Sequence, residues 1–141
     1  MKKAFLAVTL FIFFCYTSHI HGATFYVRTS GSDSNDGSSW AEAKATPQAA
    51  INAASPRDEI WVAAGTYRPL TEPGNPSPTD PREKHFRLAE DVALYGGFAG
   101  DETSRKERDI QANTTVLSGD IGLIGSHSDN CYHVVKAIAG S

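Results

Sequence analysis

The stretch that decides the fold is Asp58-Glu59-Ile60-Trp61-Val62-Ala63-Ala64-Gly65-Thr66-Tyr67, DEIWVAAGTY. Ile60-Trp61-Val62 is β-branched and aromatic, which reads as a strand, and a very short one. Ala63-Ala64-Gly65 ends it, and Thr66-Tyr67 extends the chain again. Successive strand residues point to opposite faces, so if Ile60 and Val62 face a core, Trp61 points outward, under a loop or to the surface.

The same grammar recurs on both sides. Thr24-Phe25-Tyr26-Val27, Phe86-Arg87-Leu88, Val92-Ala93-Leu94-Tyr95, Thr115-Val116-Leu117 and Tyr132-His133-Val134-Val135 are further short strands, each with Gly, Asp or Asn within three residues of one end. Thr46-Pro47 supplies an N-cap followed by proline at the first helical position, predicting a helix over 47–54 that stops at Ser55-Pro56. Ala50, Ile51 and Ala54 share one side of it, which suits a helix lying flat on another surface. Ser39-Trp40-Ala41-Glu42 and Ser104-Arg105-Lys106-Glu107 have capping-box spacing and predict two further helical pieces. Residues 68–85 hold five of the seven prolines and read as an exposed excursion without regular structure.

Such strands, joined by links of irregular length, suit neither a sandwich nor a doubly wound sheet. A sandwich needs longer alternating strands, and a βαβ sheet needs a long amphipathic helix in every crossover. They suit an all-β right-handed parallel β-helix, in which each coil gives brief strands and tight corners and loops leave between them. The links from Leu94 to Leu117 and from Leu117 to Val134 are 23 and 17 residues, near one coil apiece. The division that follows is residues 1–22 as leader, 23–59 as an N-terminal cap of strand, turn and short helix, and 60–141 as the first two or three coils. The helix would cover the open end of the apolar cylinder.

The leader distorts the composition. Lys2 and Lys3 precede a 13-residue uncharged run, AFLAVTLFIFFCY, and then the polar stretch Thr17–Gly22, the order of a secretory signal peptide. As a helix that run spans about 20 Å, short of the roughly 30 Å hydrocarbon core, so a membrane span is the weaker reading. Phe13 and Phe14 are too bulky for a lipoprotein signal at Cys15. Without the leader the net charge is −5, and 27 large apolar side chains remain in 119 residues. That charge and the lack of a basic cluster argue against nucleic acid and against a polybasic membrane patch. Cys131 is then the only cysteine, so packing rather than an intrachain disulfide must hold the chain. Few large apolar residues for this length fit one end of a longer cylinder.

Four blocks carry a resemblance. YVRTSGSDSNDGSSWAEAKATPQAAINAASPRDEIWVAAGTYRP, FRLAEDVALYGGFAGDETSRKERD, TVLSGDIG and DNCYHVV resemble the opening of the secreted right-handed parallel β-helix proteins of the pectin-lyase-like fold, which include bacterial surface proteins related to the polymorphic outer-membrane type. The resemblance covers nearly all of residues 24–135. It implies a cap followed by the first coils, with many more coils beyond YHVV, so Ser141 reads as a shortened frame. It also implies a secreted or surface location, outer-membrane-associated, with an extracellular or cell-surface polysaccharide as partner, and a last rung that pairs with further coils or another chain.

The expected function is therefore capping of an exported surface protein in adhesion or glycan binding, without catalysis in this chain. A calcium-dependent polysaccharide lyase of the same fold is the enzymatic alternative, and a self-contained carbohydrate-binding module is a third. For Ca2+, Asp33, Asn35 and Asp36, with Asp91 or Asp120, offer hard oxygens, though Gly37 stands where a calcium loop places its third ligand. The competing reading is a turn in which Asp and Asn cap their own backbone and Gly37 takes positive φ. His85, His127 and His133 have no ligand spacing. Trp61 and Tyr67, with Trp40 and Tyr95, are the candidate sugar-stacking rings.

Overall fold

The computed structural model describes residues 22–75 and 79–137. Apart from Gly22, the expected leader lies outside the described residues, as does Cys15 within it. The described chain runs β1 (Thr24–Val27), α1 (Pro47–Ala53), β2 (Glu59–Ala63), β3 (Gly65–Tyr67), β4 (Phe86–Leu88), β5 (Ala93–Phe98), β6 (Thr115–Leu117) and β7 (Val135–Ala137). The class is all-β with one α-helix. Every ladder between these strands is parallel, in three sheets ordered β1-β2-β5, β3-β6 and β4-β7. From β2 onward the chain visits the first, second and third sheet in turn and then repeats that order. Glu59 lies on Ala93, Gly65 on Thr115 and Phe86 on Val135.

The corner before the first sheet repeats as well. Arg57 and Asp91 each stand two residues before their strand, and both have positive φ, 78° and 55°. A non-glycine residue there costs about 1–2 kcal/mol, which a single chance corner would not sustain twice. The Arg57 N–H donates to the Asp91 carbonyl at 2.7 Å, so the corner stacks on its own repeat.

Alternation along β2 builds two packed layers. Ile60 and Val62 join Val27, Ala50, Ile51, Tyr67 and Phe86 in the core. Phe86 and Val62 are 1% exposed, and burial of such side chains stabilises by about 1.5–3 kcal/mol each. Trp61 faces the other way and stacks on Phe98 at 4.8 Å, with Tyr26 at its edge and Trp40 bridging Tyr26 to Phe98. Phe98 reaches that face only through a bulge. Trp61 pairs with Tyr95 but Ala63 with Phe98, so β5 carries one extra residue, which turns Phe98 from the core side to the Trp61 side. Gly97, with φ 94°, makes the turn, and a Cβ there would lie 2.7 Å from Ile110.

Helix α1 starts as expected. The Thr46 Oγ1 accepts from the Ala49 N–H at 3.2 Å, Pro47 follows, and Ala50 and Ile51 are buried against β1, β2 and β4. The expected helical piece at Ser39–Glu42 is replaced by turns. Ser39 does accept from the Glu42 N–H, but the chain then leaves to lie along β1. The Lys44 N–H donates to Tyr26, and Arg28 donates to the Lys44 carbonyl. Pairing with a strand satisfies those groups better than one turn of isolated helix would. The last strand is also displaced, from Tyr132–Val135 to Val135–Ala137. Tyr132 is drawn off because its N–H donates to Arg82 and its hydroxyl to Asp80. Asp80 caps, and Arg82 lies within, a 3-10 turn at Pro81–Glu83, a piece of regular structure inside the excursion.

Candidate functional site

The loop read as a calcium candidate is closed by the protein's own groups. Both oxygens of the Asp33 carboxylate are engaged: one accepts from the Ala45 and Thr46 N–H groups at 2.9 and 2.8 Å, the other from the Thr46 hydroxyl at 2.9 Å. Asn35 donates through Nδ2 to the Ala43 carbonyl, and Asp36 accepts from the Ser38 N–H. The Ser38 hydrogen bonds hold the Asp36 carboxyl below its ordinary pKa. Gly37 has φ 81°, the conformation of the turn reading. Lys44 is 7% exposed and brings its ammonium to the main-chain carbonyls of Asn35, at 2.6 Å, and Asp33, at 3.4 Å.

Calcium asks for six to eight free oxygens. Here the side-chain oxygens of Asp33 are taken by donors and a cation already meets two of the carbonyls, which leaves the residues at 33–36 few uncommitted oxygens for the ion. Asp91 serves the repeated corner. The Asp120 Oδ2 accepts from the Gly125 N–H, while its Oδ1 is buried without a hydrogen-bond partner. Among the described residues no three His, Cys, Asp or Glu side chains converge on a metal position.

The stacking candidates are corrected by burial. Trp61 is 6% exposed and sandwiched as described, its Nε1 donating to Glu59. Tyr67 is 4% exposed and donates its hydroxyl to the Ala63 carbonyl, and burial pushes its pKa up to about 12. Neither ring offers a face to a sugar. Tyr95 is half-buried under the guanidiniums of Arg105 and Arg108, at 4.6 and 5.3 Å. His85 is buried with Nδ1 at the Glu83 carbonyl, whereas His127 and His133 are exposed.

The structure instead opens a groove on the side of the molecule. It lies between the first turns of α1 and the chain leaving β3. Two hollows of about 200 and 320 Å³ share Thr46, Arg68 and Leu70. Hydroxyls of Thr29, Thr66 and Thr71 and the amides of Gln48 and Asn52 line it, with Leu70 two-thirds exposed along one edge. Arg68 is anchored by donation from Nε to the Asp120 carbonyl at 2.6 Å. Gln48 is fixed by accepting from the Arg87 N–H and donating to Asn52. Hydroxyls, amides and one held guanidinium beside an apolar edge are groups that bind a hydroxyl-rich ligand. The carboxylate in the groove, Asp33, has its oxygens committed to the start of α1.

Three structural residues gave no sequence signal: Lys44, Arg68 and Glu102. Glu102 is 9% exposed and accepts from the N–H groups of Ala99, Gly100 and Asp101 at 2.6–3.1 Å, while its carbonyl accepts from Trp40 Nε1. It thereby ties down the loop over the Trp61–Phe98 stack. Compared with family models, curated proteins and solved structures, the chain matches none.

Proposed function

We propose that the chain is the N-terminal cap and first coils of an exported right-handed parallel β-helix surface protein, and that its side groove binds cell-surface or extracellular polysaccharide without catalysis. The observation that carries this reading is the repeated order of strands over three parallel sheets, with the corner at Arg57 stacked on the corner at Asp91. In such a stack each coil buries its inward residues only against its neighbours, so the first needs a cover. Here α1 and the Lys44 segment lie over β1, β2 and β4. The far edges of β6 and β7 carry no paired strand among the described residues, which suits addition of further coils or of another chain.

For the binding half of the reading, the Thr and amide groups would meet sugar hydroxyls and Arg68 would supply paired N–H donors. The test is titration of the protein against an array of neutral and acidic cell-surface polysaccharides, with Arg68→Ala as the comparison. We expect saturable binding to at least one polymer, weakened about tenfold in the variant, the value of one charge-assisted hydrogen bond of about 1.5 kcal/mol. Absence of binding to every polymer, or equal binding by both proteins, overturns the groove as the site.

A further inference from the structure

We infer that Lys44 is a tethered cation, occupying within the Asp33–Gly37 loop the place a bound metal ion takes in loops of this composition, so that the cap closes without metal. The observation is a reciprocal clasp between two segments. The ammonium of Lys44 crosses to the carbonyls of Asn35 and Asp33, while the Asp33 carboxylate crosses back to the N–H groups of Ala45 and Thr46. Asn35 adds a third link, from Nδ2 to the Ala43 carbonyl.

A buried charge is costly unless hydrogen-bonded, and Lys44 is 7% exposed; among the described residues no carboxylate lies within ion-pair distance of it, though its charge is felt at the Asp36 carboxyl. Its partners are main-chain carbonyl oxygens, the hard dipoles that also coordinate calcium and potassium ions. A metal would have to be gathered from solution at a cost in ordering, whereas Lys44 is delivered by the strand pairing of its own backbone with Tyr26 and Arg28. The clasp therefore forms with the Val27–Lys44 bridge and positions Thr46, the N-cap of α1, in the same step. Closure of the end of the stack is coupled to one side-chain charge and not to the ionic composition outside the cell.

The test is chemical unfolding of the protein in calcium, in potassium and in chelator, beside Lys44→Met, which keeps the apolar stem and removes the charge. We expect the wild-type urea midpoint to be the same in all three solutions. We expect Lys44→Met to fall by about 1 M, from carbonyls left without a donor. Should Lys44→Met fail to fold, Lys44→Arg serves: its planar guanidinium does not reproduce the compact ammonium, so its midpoint falls too. A wild-type midpoint that rises with calcium overturns the inference, as does a Lys44→Met or Lys44→Arg protein as stable as wild type.

Discussion

The loops Gly31–Ser39 and Gly119–Asn130 are both rich in Gly, Ser, Asp and Asn, the second adding Ile121, Leu123 and Ile124, and they lie at opposite ends of the strand order. The first is closed: Lys44 and Thr46 return to it, Asp33 and Asn35 find partners, and Ala43 beside it is fully buried. The second is open. Leu123 and Ile124 are 75% and 63% exposed. Of the buried side-chain atoms without a partner among the described residues, Asp120 Oδ1, Asp129 Oδ1 and Asn130 Oδ1 fall in it, and only Arg28 Nε falls elsewhere. Each such orphan costs about 1–3 kcal/mol. Arg68 and Arg82 reach main-chain carbonyls of the second loop, but no segment among the described residues brings donors to these side-chain oxygens, so a polar loop becomes structure or burden according to whether the groups that return match its side chains.

The largest expected effect tests whether stability is concentrated at the closed end. Phe86 is 1% exposed and joins the core beneath α1, so Phe86→Ala should destabilise by about 3–5 kcal/mol. Ile124→Ser, at the open end, should change stability by no more than about 0.5 kcal/mol. Urea unfolding followed by tryptophan fluorescence reads both. A loss of several kcal/mol in Ile124→Ser would mean that the second loop is packed in solution, and the contrast between the ends would disappear.

What was legible in the sequence divides along the same line. Strands with β-branched and aromatic residues between turn formers, such as Ile60–Val62 and Thr115–Leu117, were readable because their signal is local. So was α1, where Thr46-Pro47 fixes the start whatever surrounds it. Ser39–Glu42 misled because its capping bond forms but a distant strand claims the following backbone. The outward direction of Trp61 followed from alternation. Cover by a loop was one of its two expected fates, but the rings that cover it were not legible, since they are Trp40, Tyr26 and Phe98, the last moved across the sheet by a bulge at Gly97. The groove was hidden for the same reason: Arg68 and Gln48 are 20 residues apart in sequence and meet only where the chain leaving β3 passes α1.

An intermediate effect sharpens the comparison of the two loops. Asp33→Ala removes three acceptor contacts and the brace on the N-cap of α1, and should destabilise by about 1–2 kcal/mol. Asp129→Ala removes one accepted bond, from the Leu123 N–H, together with a buried orphan oxygen, so its net effect should be smaller. Amide hydrogen exchange should show faster opening of Ala49 and Ala50 in Asp33→Ala and not in Asp129→Ala. Equal losses from the two variants would show that Asp33 supports its loop no better than Asp129 does.

The smallest effect concerns Glu102, which extends the closed construction to the outer face of the first sheet. Burial alone would raise its pKa, but the N–H groups of Ala99, Gly100 and Asp101 stabilise the anion more, and the carboxyl lies below its ordinary value of 4.5. With the folded pKa depressed, unfolding takes up a proton in acid, so the stabilisation is fully present above pH 4.5 and is lost as pH falls through the lower folded value. Glu102→Gln keeps the size and removes the anion. It should therefore be less stable than wild type at neutral pH, and the two stability curves should converge as the pH drops below 4.5. Asp36 and Asp109, also held low by hydrogen bonds, titrate alike in both proteins and cancel from the difference. Trp40 donates to the Glu102 carbonyl, so its fluorescence reports the same loop. Curves that stay parallel down to acid pH would remove Glu102 from the electrostatics of the fold. The loop would then be held over the Trp61–Phe98 stack by aromatic packing and by the Trp40 hydrogen bond to the Glu102 carbonyl.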